Sequence, residues 1–117
     1  MSYAVTSGGS VVKETLFPGK PHEMITMYYM DGNDLVLVHY CGFGNQPRMK
    51  AEPGSDPAKL PFKFAGGANI DPAKDSHMHE VEFVFVSAKE VRATWQTWVK
   101  GKVDHAKEFH LKRKAAK

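Results

Sequence analysis

Three histidines and one cysteine are the side chains of this sequence with the widest chemical range. His39 lies two residues before Cys41, and His77 lies two residues before His79. In an extended strand, side chains two residues apart share a face, so each pair is expected to point in one direction. Imidazole binds zinc, copper or iron, and it exchanges protons near neutral pH. The spacing is compatible with a metal site, with a general base, and with buried histidines that only hydrogen-bond their neighbours.

Cys41 is the one cysteine of the 117 residues, so no internal disulfide can form. The side chains of His39 and Cys41 would be roughly 6–7 Å apart on a strand, which is too far for direct activation of the thiol. We therefore expect a buried, structural thiol. One cysteine and an N-terminus without a basic or apolar leader favour a cytoplasmic location.

Apolar alternation in short runs separated by turn residues dominates the chain. The runs predict nine strands: Tyr3–Thr6, Ser10–Phe17, Glu23–Met30, Asp34–Cys41, Gln46–Ala51, Leu60–Ala65, Met78–Val86, Glu90–Val99 and Ala106–Arg113. Most connections are too short for helical crossovers, which predicts sequential antiparallel pairing. Asp56-Pro57 and Asp71-Pro72 each suggest one helical turn. A helix over 88–99 is the main rival assignment, but its β-branched and aromatic residues favour a strand.

This pattern predicts an all-β fold: an antiparallel up-and-down meander of eight or nine strands, curled into a barrel. The expected organisation is a single domain over residues 1–113 followed by a basic tail over 114–117. A flat meander of this size would expose two edges and an apolar face, which barrel closure or dimerisation removes. An eight-stranded barrel is just wide enough to be filled by side chains or to hold one small ligand.

Period-two alternation predicts which chemically capable side chains face the interior. The expected inward set comprises His39, His77, His79, Glu14 and Trp95, with Tyr28 packing in the core or at the rim. Met78 is expected on the wetter outer face. Arg48 has two interpretations: it braces the turn after Cys41, or it presents its guanidinium to a carboxylate or phosphate of a ligand.

Charge is concentrated at the C-terminal end of the chain. Residues 100–117 carry seven Lys or Arg against two acidic side chains, while residues 1–99 carry nine against eleven. A nucleic-acid surface needs a stripe of cations along one face, so we expect no nucleic-acid partner. No apolar run approaches the roughly 20 residues that span a bilayer, so no membrane partner is expected.

Several segments together resemble small bacterial lipocalin-like proteins of the calycin type, a group largely of unknown function. The matching segments are Gly9–Thr15, Pro18–Met24, Leu35–Cys41, Gly44–Met49, Phe64, Asn69, His77–His79, Trp95 and Phe109–Arg113. The resemblance implies an up-and-down barrel with an internal cavity. Such chains usually begin with a strand carrying Gly-x-Trp, which is lacking here. We therefore expect an incomplete barrel with an open edge beside Ser10–Phe17, covered by a second copy in a homodimer.

The expected function is binding of a small, mainly apolar molecule in the barrel cavity, with no cofactor. Its predicted site residues are His39, Arg48, His77, His79, Trp95, Glu14 and Tyr28. One alternative is a small isomerase or hydrolase, in which His39 or His79 acts as general base and Glu14 orients it. Others are haem or metal binding through His39, His77 or His79, and a solidly filled barrel that serves as an interaction protein.

Overall fold

The computed structural model describes residues 1–114, which form nine strands and a short 3-10 turn over Ser7–Gly9. The strands are β1 (Ser2–Thr6), β2 (Val11–Leu16), β3 (Met24–Asp31), β4 (Asp34–Tyr40), β5 (Gln46–Ala51), β6 (Lys59–Ala68), β7 (His77–Ser87), β8 (Glu90–Val99) and β9 (Lys102–Lys112). Each strand pairs with the next in a single sheet. Every pairing is antiparallel. The predicted all-β meander is confirmed, and the segment where a helix competed is strand β8. Of the predicted basic tail, residues 115–117 lie outside the described residues.

The sheet curls into a half-barrel whose first and last strands, β1 and β9, are not paired with each other. Side chains bridge part of the opening. The Phe17 ring, just after β2, lies 5.8 Å from the Phe109 ring of β9, and Lys107 Nζ lies 5.8 and 5.4 Å from these two rings. Side chains near the end of β2 and on β9 therefore contact each other although the first and last strands are unpaired.

The edge of β2 is not open, contrary to the expectation from the sequence. β1 covers it, with Ser2 opposite Thr15 and Thr6 opposite Val11. A tight turn reverses the chain here, because Ser7, Gly8 and Gly9 all adopt positive φ. The strand edges that remain free are the outer edge of β1 and the outer edge of β9.

The core lies on the concave face, where alternation along the strands places the apolar side chains. Its buried members are Leu37, Met49, Phe62, Val81, Phe83, Ala93 and Trp95. Neighbouring strands contribute partners in register: Phe62 lies opposite Val81, and Val81 lies opposite Trp95. Burial of these large side chains is the main favourable contribution to folding.

Both Asp-Pro segments form capped turns that do not extend into a helix. The Asp56 carboxylate accepts from the Ala58 N–H at 2.9 Å, and the Asp71 carboxylate accepts from the Ala73 N–H at 3.0 Å. Within residues 1–114, no helix has the length and apolar character needed to cross a membrane.

Candidate functional site

An apolar pocket of about 410 Å³ opens at one end of the half-barrel, beside the β3–β4 and β7–β8 hairpins. Its lining consists of Tyr3, Val12, Tyr28, Leu35, Leu60, Phe62, Phe83, Phe85 and Val91. Five of these nine side chains are aromatic and none is charged. The volume falls within the range of about 300–1,000 Å³ that is typical of small-molecule sites. The pocket is thus suited to an apolar ligand.

Three aromatic rings form the inner wall of this pocket. Tyr28 lies 5.8 Å from Phe62 and 6.0 Å from Phe83, and Phe62 lies 6.0 Å from Phe83, all between ring centroids. All three pairs have edge-to-face geometry, which is a favourable arrangement of aromatic quadrupoles. Phe62 is fully buried, so packing in the hydrophobic core, and not contacts at the pocket rim, holds this wall in position.

Glu14 lies directly behind the tyrosines of the pocket and is fully buried. The Tyr3 hydroxyl donates to Glu14 Oε2 at 2.5 Å, and the Tyr28 hydroxyl donates to Oε1 at 3.1 Å. Burial raises the pKa of Glu14 above its ordinary value of 4.5, while hydrogen bonds from Tyr3, Thr26 and Tyr28 act in the opposite direction. Burial also raises the pKa values of both tyrosines, so they remain hydroxyl donors.

His39 and Trp95 continue this buried polar layer. Thr26 Oγ1 and His39 Nδ1 are 2.8 Å apart, and the His39 and Trp95 rings are 4.9 Å apart. His39 Nε2 and Trp95 Nε1 are buried and have no hydrogen-bond partner within residues 1–114. Burial lowers the pKa of His39 from 6.5 to about 4, so the imidazole is neutral at physiological pH. Neither side chain lines the apolar pocket.

His77 and His79 form a separate group, near the opposite end of the strands. His77 Nδ1 donates to the Asp75 carbonyl at 2.8 Å, and His77 Nε2 lies 2.8 Å from His79 Nδ1. The His79 ring is stacked between Trp98 at 3.7 Å and Phe64 at 4.7 Å. Burial lowers the pKa of His79. Within the described residues, no hydrogen bond or ring contact joins this pair to His39.

A β-bulge explains why the inward assignment differs around these histidines. The register between β7 and β8 shifts between Met78 and Glu80, so the strict alternation counted from Val81 is interrupted. Met78, expected on the outer face, packs against the hydrophobic core instead. His77 is fully buried, in agreement with the inward prediction, and its ring lies 5.0 Å from that of Phe64.

Arg48 does not reach the pocket. It lies opposite Val38 in the ladder, and its guanidinium binds the Asp31 carboxylate at 3.0 Å on an exposed surface. Its neighbours also brace the fold: Asn45 donates to the Ser76 carbonyl at 2.9 Å, and Gln46 accepts from Asn69 at 2.8 Å. These contacts agree with the bracing interpretation of the Asn45–Met49 segment.

The histidines and carboxylates do not assemble into a metal site. Among residues 1–114, no group of three or more His, Cys, Asp or Glu side chains is placed to hold a metal ion. A smaller depression of about 220 Å³ lies over the polar outer side chains of β6–β8, including Lys63, Glu80, Glu82 and Gln96. The Lys63–Glu80 ion pair, at 3.1 Å, belongs to this depression. The apolar pocket is therefore the better candidate for a ligand site.

Of the residues expected in the site, the structure brings four together and separates three. Glu14, Tyr28, His39 and Trp95 belong to one buried region, whereas Arg48, His77 and His79 lie elsewhere. Two participants in this polar layer, Tyr3 and Thr26, were not identified from the sequence, and of the pocket lining only Tyr28 was. By alternation Thr26 shares the strand face of Tyr28, whereas the position of Tyr3 opposite Glu14, and of Thr26 opposite Glu14 and His39, depends on strand register.

Comparison with known proteins finds no match to any family model, to any curated protein or to any solved structure.

Proposed function

We propose that this protein binds a small, mainly apolar molecule in the pocket at the open end of the half-barrel. The observation that carries this proposal is the 410 Å³ pocket, whose lining has five aromatic side chains and no charged one. Apolar surface that faces an open cavity gains free energy when a ligand removes it from water. The rim also retains exposed apolar area, since Tyr3 and Phe85 are both about half exposed.

A pocket-filling substitution tests this proposal. Leu60→Trp places a larger ring inside the pocket and should weaken binding of an apolar fluorescent probe at least about tenfold, because the two occupy the same volume. The matched control is Val103→Trp, which adds the same ring to an exposed position on β9. Probe binding that is equal in both variants and in the unmodified protein would place the ligand elsewhere and contradict the proposal.

We further propose that the chain is a lipocalin-like protein of the calycin type that works as a cytoplasmic homodimer. The half-barrel of sequentially paired strands and the Asn45–Met49 segment support the lipocalin-like assignment. The single cysteine supports a reducing compartment. Two unpaired edge strands support association with a second copy, because natural sheets cover or protect such edges.

Catalysis by a cavity histidine is less well supported by the geometry. A general base works best when its pKa is near the operating pH. The pKa of about 4 makes His39 a weak proton acceptor at neutral pH. His39 Nε2 is also buried, and the ring is not among the residues that line the pocket.

A further inference from the structure

Building on the proposed binding function, we propose that the ligand carries an ammonium group and that Glu14 is its counter-ion. The ligand class is a hydrophobic amine: an apolar body that fills the pocket, with one positive charge directed towards β2. Two of the pocket's own lining residues, Tyr3 and Tyr28, hydrogen-bond the carboxylate of Glu14. Only the side chain of a tyrosine therefore separates the carboxylate of Glu14 from the pocket.

Glu14 has unused capacity to accept hydrogen bonds. An ionised carboxylate offers about four lone-pair positions on its two oxygens. Two phenols and the Thr26 hydroxyl donate to these oxygens, which leaves about one acceptor position unused. Tyr3 is at the accessible rim of the pocket, since it is 47% exposed and its strand is paired on one side only. Contact between the ammonium and the carboxylate requires the Tyr3 ring to rotate away from Glu14.

No side-chain cation neutralises Glu14 within residues 1–114, where every ion pair involves other carboxylates. The ionisable groups that face it are Tyr3 on β1, Tyr28 on β3 and His39 on β4, and all three are uncharged at neutral pH. The positive charge that does act on Glu14 is the α-ammonium of Met1. A buried carboxylate without a partner cation is costly, so a ligand cation would relieve that cost.

The aromatic lining fits the same ligand chemistry. An ammonium group is attracted to the faces of Tyr and Phe rings within about 6 Å, and clusters of such rings recognise amines in other proteins. Here the rings are Tyr3, Tyr28, Phe62, Phe83 and Phe85. A carboxylate ligand would instead meet the negative faces of these rings and the charge of Glu14. The pocket therefore selects for positive charge.

Binding of an amine should be coupled to ionisation of Glu14. Because burial raises the pKa of Glu14, its protonated form, which lacks the counter-charge, persists to a higher pH than that of a free glutamic acid. Affinity for the amine should rise as the pH increases through that pKa. A neutral ligand of the same shape should show no such rise.

The experiment compares 4-phenylbutylamine with 4-phenyl-1-butanol and 4-phenylbutyrate by titration calorimetry between pH 5 and 8. We expect the amine to bind at least about tenfold more tightly than the alcohol at pH 8, and the butyrate to bind most weakly. Glu14→Gln should remove the preference for the amine, so that the ratio of amine affinity to alcohol affinity falls to about one. The matched control is Glu82→Gln on the exposed outer side of β7, which should keep the preference.

The outcomes separate this proposal from the one on which it rests. Binding of none of the three compounds would contradict the apolar-ligand function itself. Equal binding of amine and alcohol at every pH would overturn the ammonium proposal alone. If Glu14→Gln does not fold, the ratio of amine affinity to alcohol affinity in the unmodified protein at pH 8 decides, since a ratio of one or less contradicts the counter-ion.

Discussion

Two buried ionisable side chains, Glu14 and His39, lie on either side of Thr26 in the register of β2, β3 and β4. Burial acts on them in opposite senses, because it disfavours the charged form of each: the pKa of the acid is raised and that of the imidazole is lowered. Charging either group therefore costs more free energy in this layer than in water, and hydrogen bonds to Glu14 offset part of that cost.

His39 should make the protein sensitive to acid. Its pKa is about 4 in the folded protein against 6.5 for the free side chain, so the unfolded chain binds the proton first as the pH falls. The contribution of His39 to the free energy of unfolding is fully present above pH 6.5. It is lost as the pH falls from 6.5 to 4, by about 3 kcal/mol in total. Urea unfolding at pH 7, 5 and 4 measures this, and His39→Gln should remove this part of the pH dependence.

His105→Gln is the matched control for His39, because His105 is exposed on β9. The free energy of unfolding of the His105→Gln variant should depend on pH in the same way as that of the unmodified protein. Equal acid sensitivity in the His39→Gln variant and the unmodified protein would show that His39 is not the group responsible. Glu14 contributes with the opposite sign, so only the difference between variant and parent isolates the histidine.

At the scale of single residues, the sequence predicted the buried group only in part. Alternation correctly places Glu14, His39 and Trp95 among buried side chains. The outward direction of Arg48 also follows from alternation, since its neighbour Met49 is a core residue. What alternation does not contain is the partner of each polar atom, because the bond from Tyr3 to Glu14 depends on how two strands pair.

At the scale of elements, the β5–β6 pairing depends on a close approach of two backbones. The register shifts between Pro47 and Met49, and Gly67 on β6 has a φ of 131°. A Cβ at Gly67 would collide with the Gln46 carbonyl oxygen and lie 2.9 Å from Pro47 Cα. The irregular pairing therefore requires glycine at this position.

Gly67→Ala should consequently destabilise the fold. The unfavourable φ alone costs about 1–3 kcal/mol, and the backbone collision adds to it. Gly54→Ala is the matched control, because Gly54 is in open space and its φ is not in the left-handed region; its effect should stay within about 0.5 kcal/mol. Equal midpoints of thermal unfolding for the two variants would contradict the role assigned to Gly67.

Strand existence was predictable because each strand has a clear period-two pattern between turn residues, but the local irregularities were not. The bulge between Met78 and Glu80 changes which face of the sheet is occupied by residues on its His77 side. No residue type in this segment predicts the bulge. Likewise, β9 begins at Lys102, four residues before the predicted start, because pairing with β8 orders a segment of mixed polarity.

At the scale of the whole molecule, the two free edges differ in chemistry. β9 carries charged side chains along its length: Lys102, Asp104, Lys107, Glu108 and Lys112. Such charges protect an edge strand from pairing. β1 carries none, and its Tyr3 and Val5 are 47% and 69% exposed. The edge of β1 is therefore the one expected to pair with a second copy.

Val5→Lys should weaken this association, because it places a charge on the unprotected edge. Sedimentation equilibrium over a range of concentrations should show a dimer for the unmodified protein and a shift towards monomer for the variant. Val103→Lys adds the same charge to an exposed position on β9 and should leave the dimer intact. A monomer at every concentration, or equal effects of both variants, would contradict pairing through β1.

The absence of pairing between β1 and β9 also bears on how the chain acquires its structure. In the backbone ladder, every strand pairs only with its neighbours along the chain. In a closed barrel, the final seam must wait until the last strand has left the ribosome, since it joins the two ends. Here each new strand can add to the one before it as synthesis proceeds, so most of the half-barrel can assemble while the remainder is still being translated.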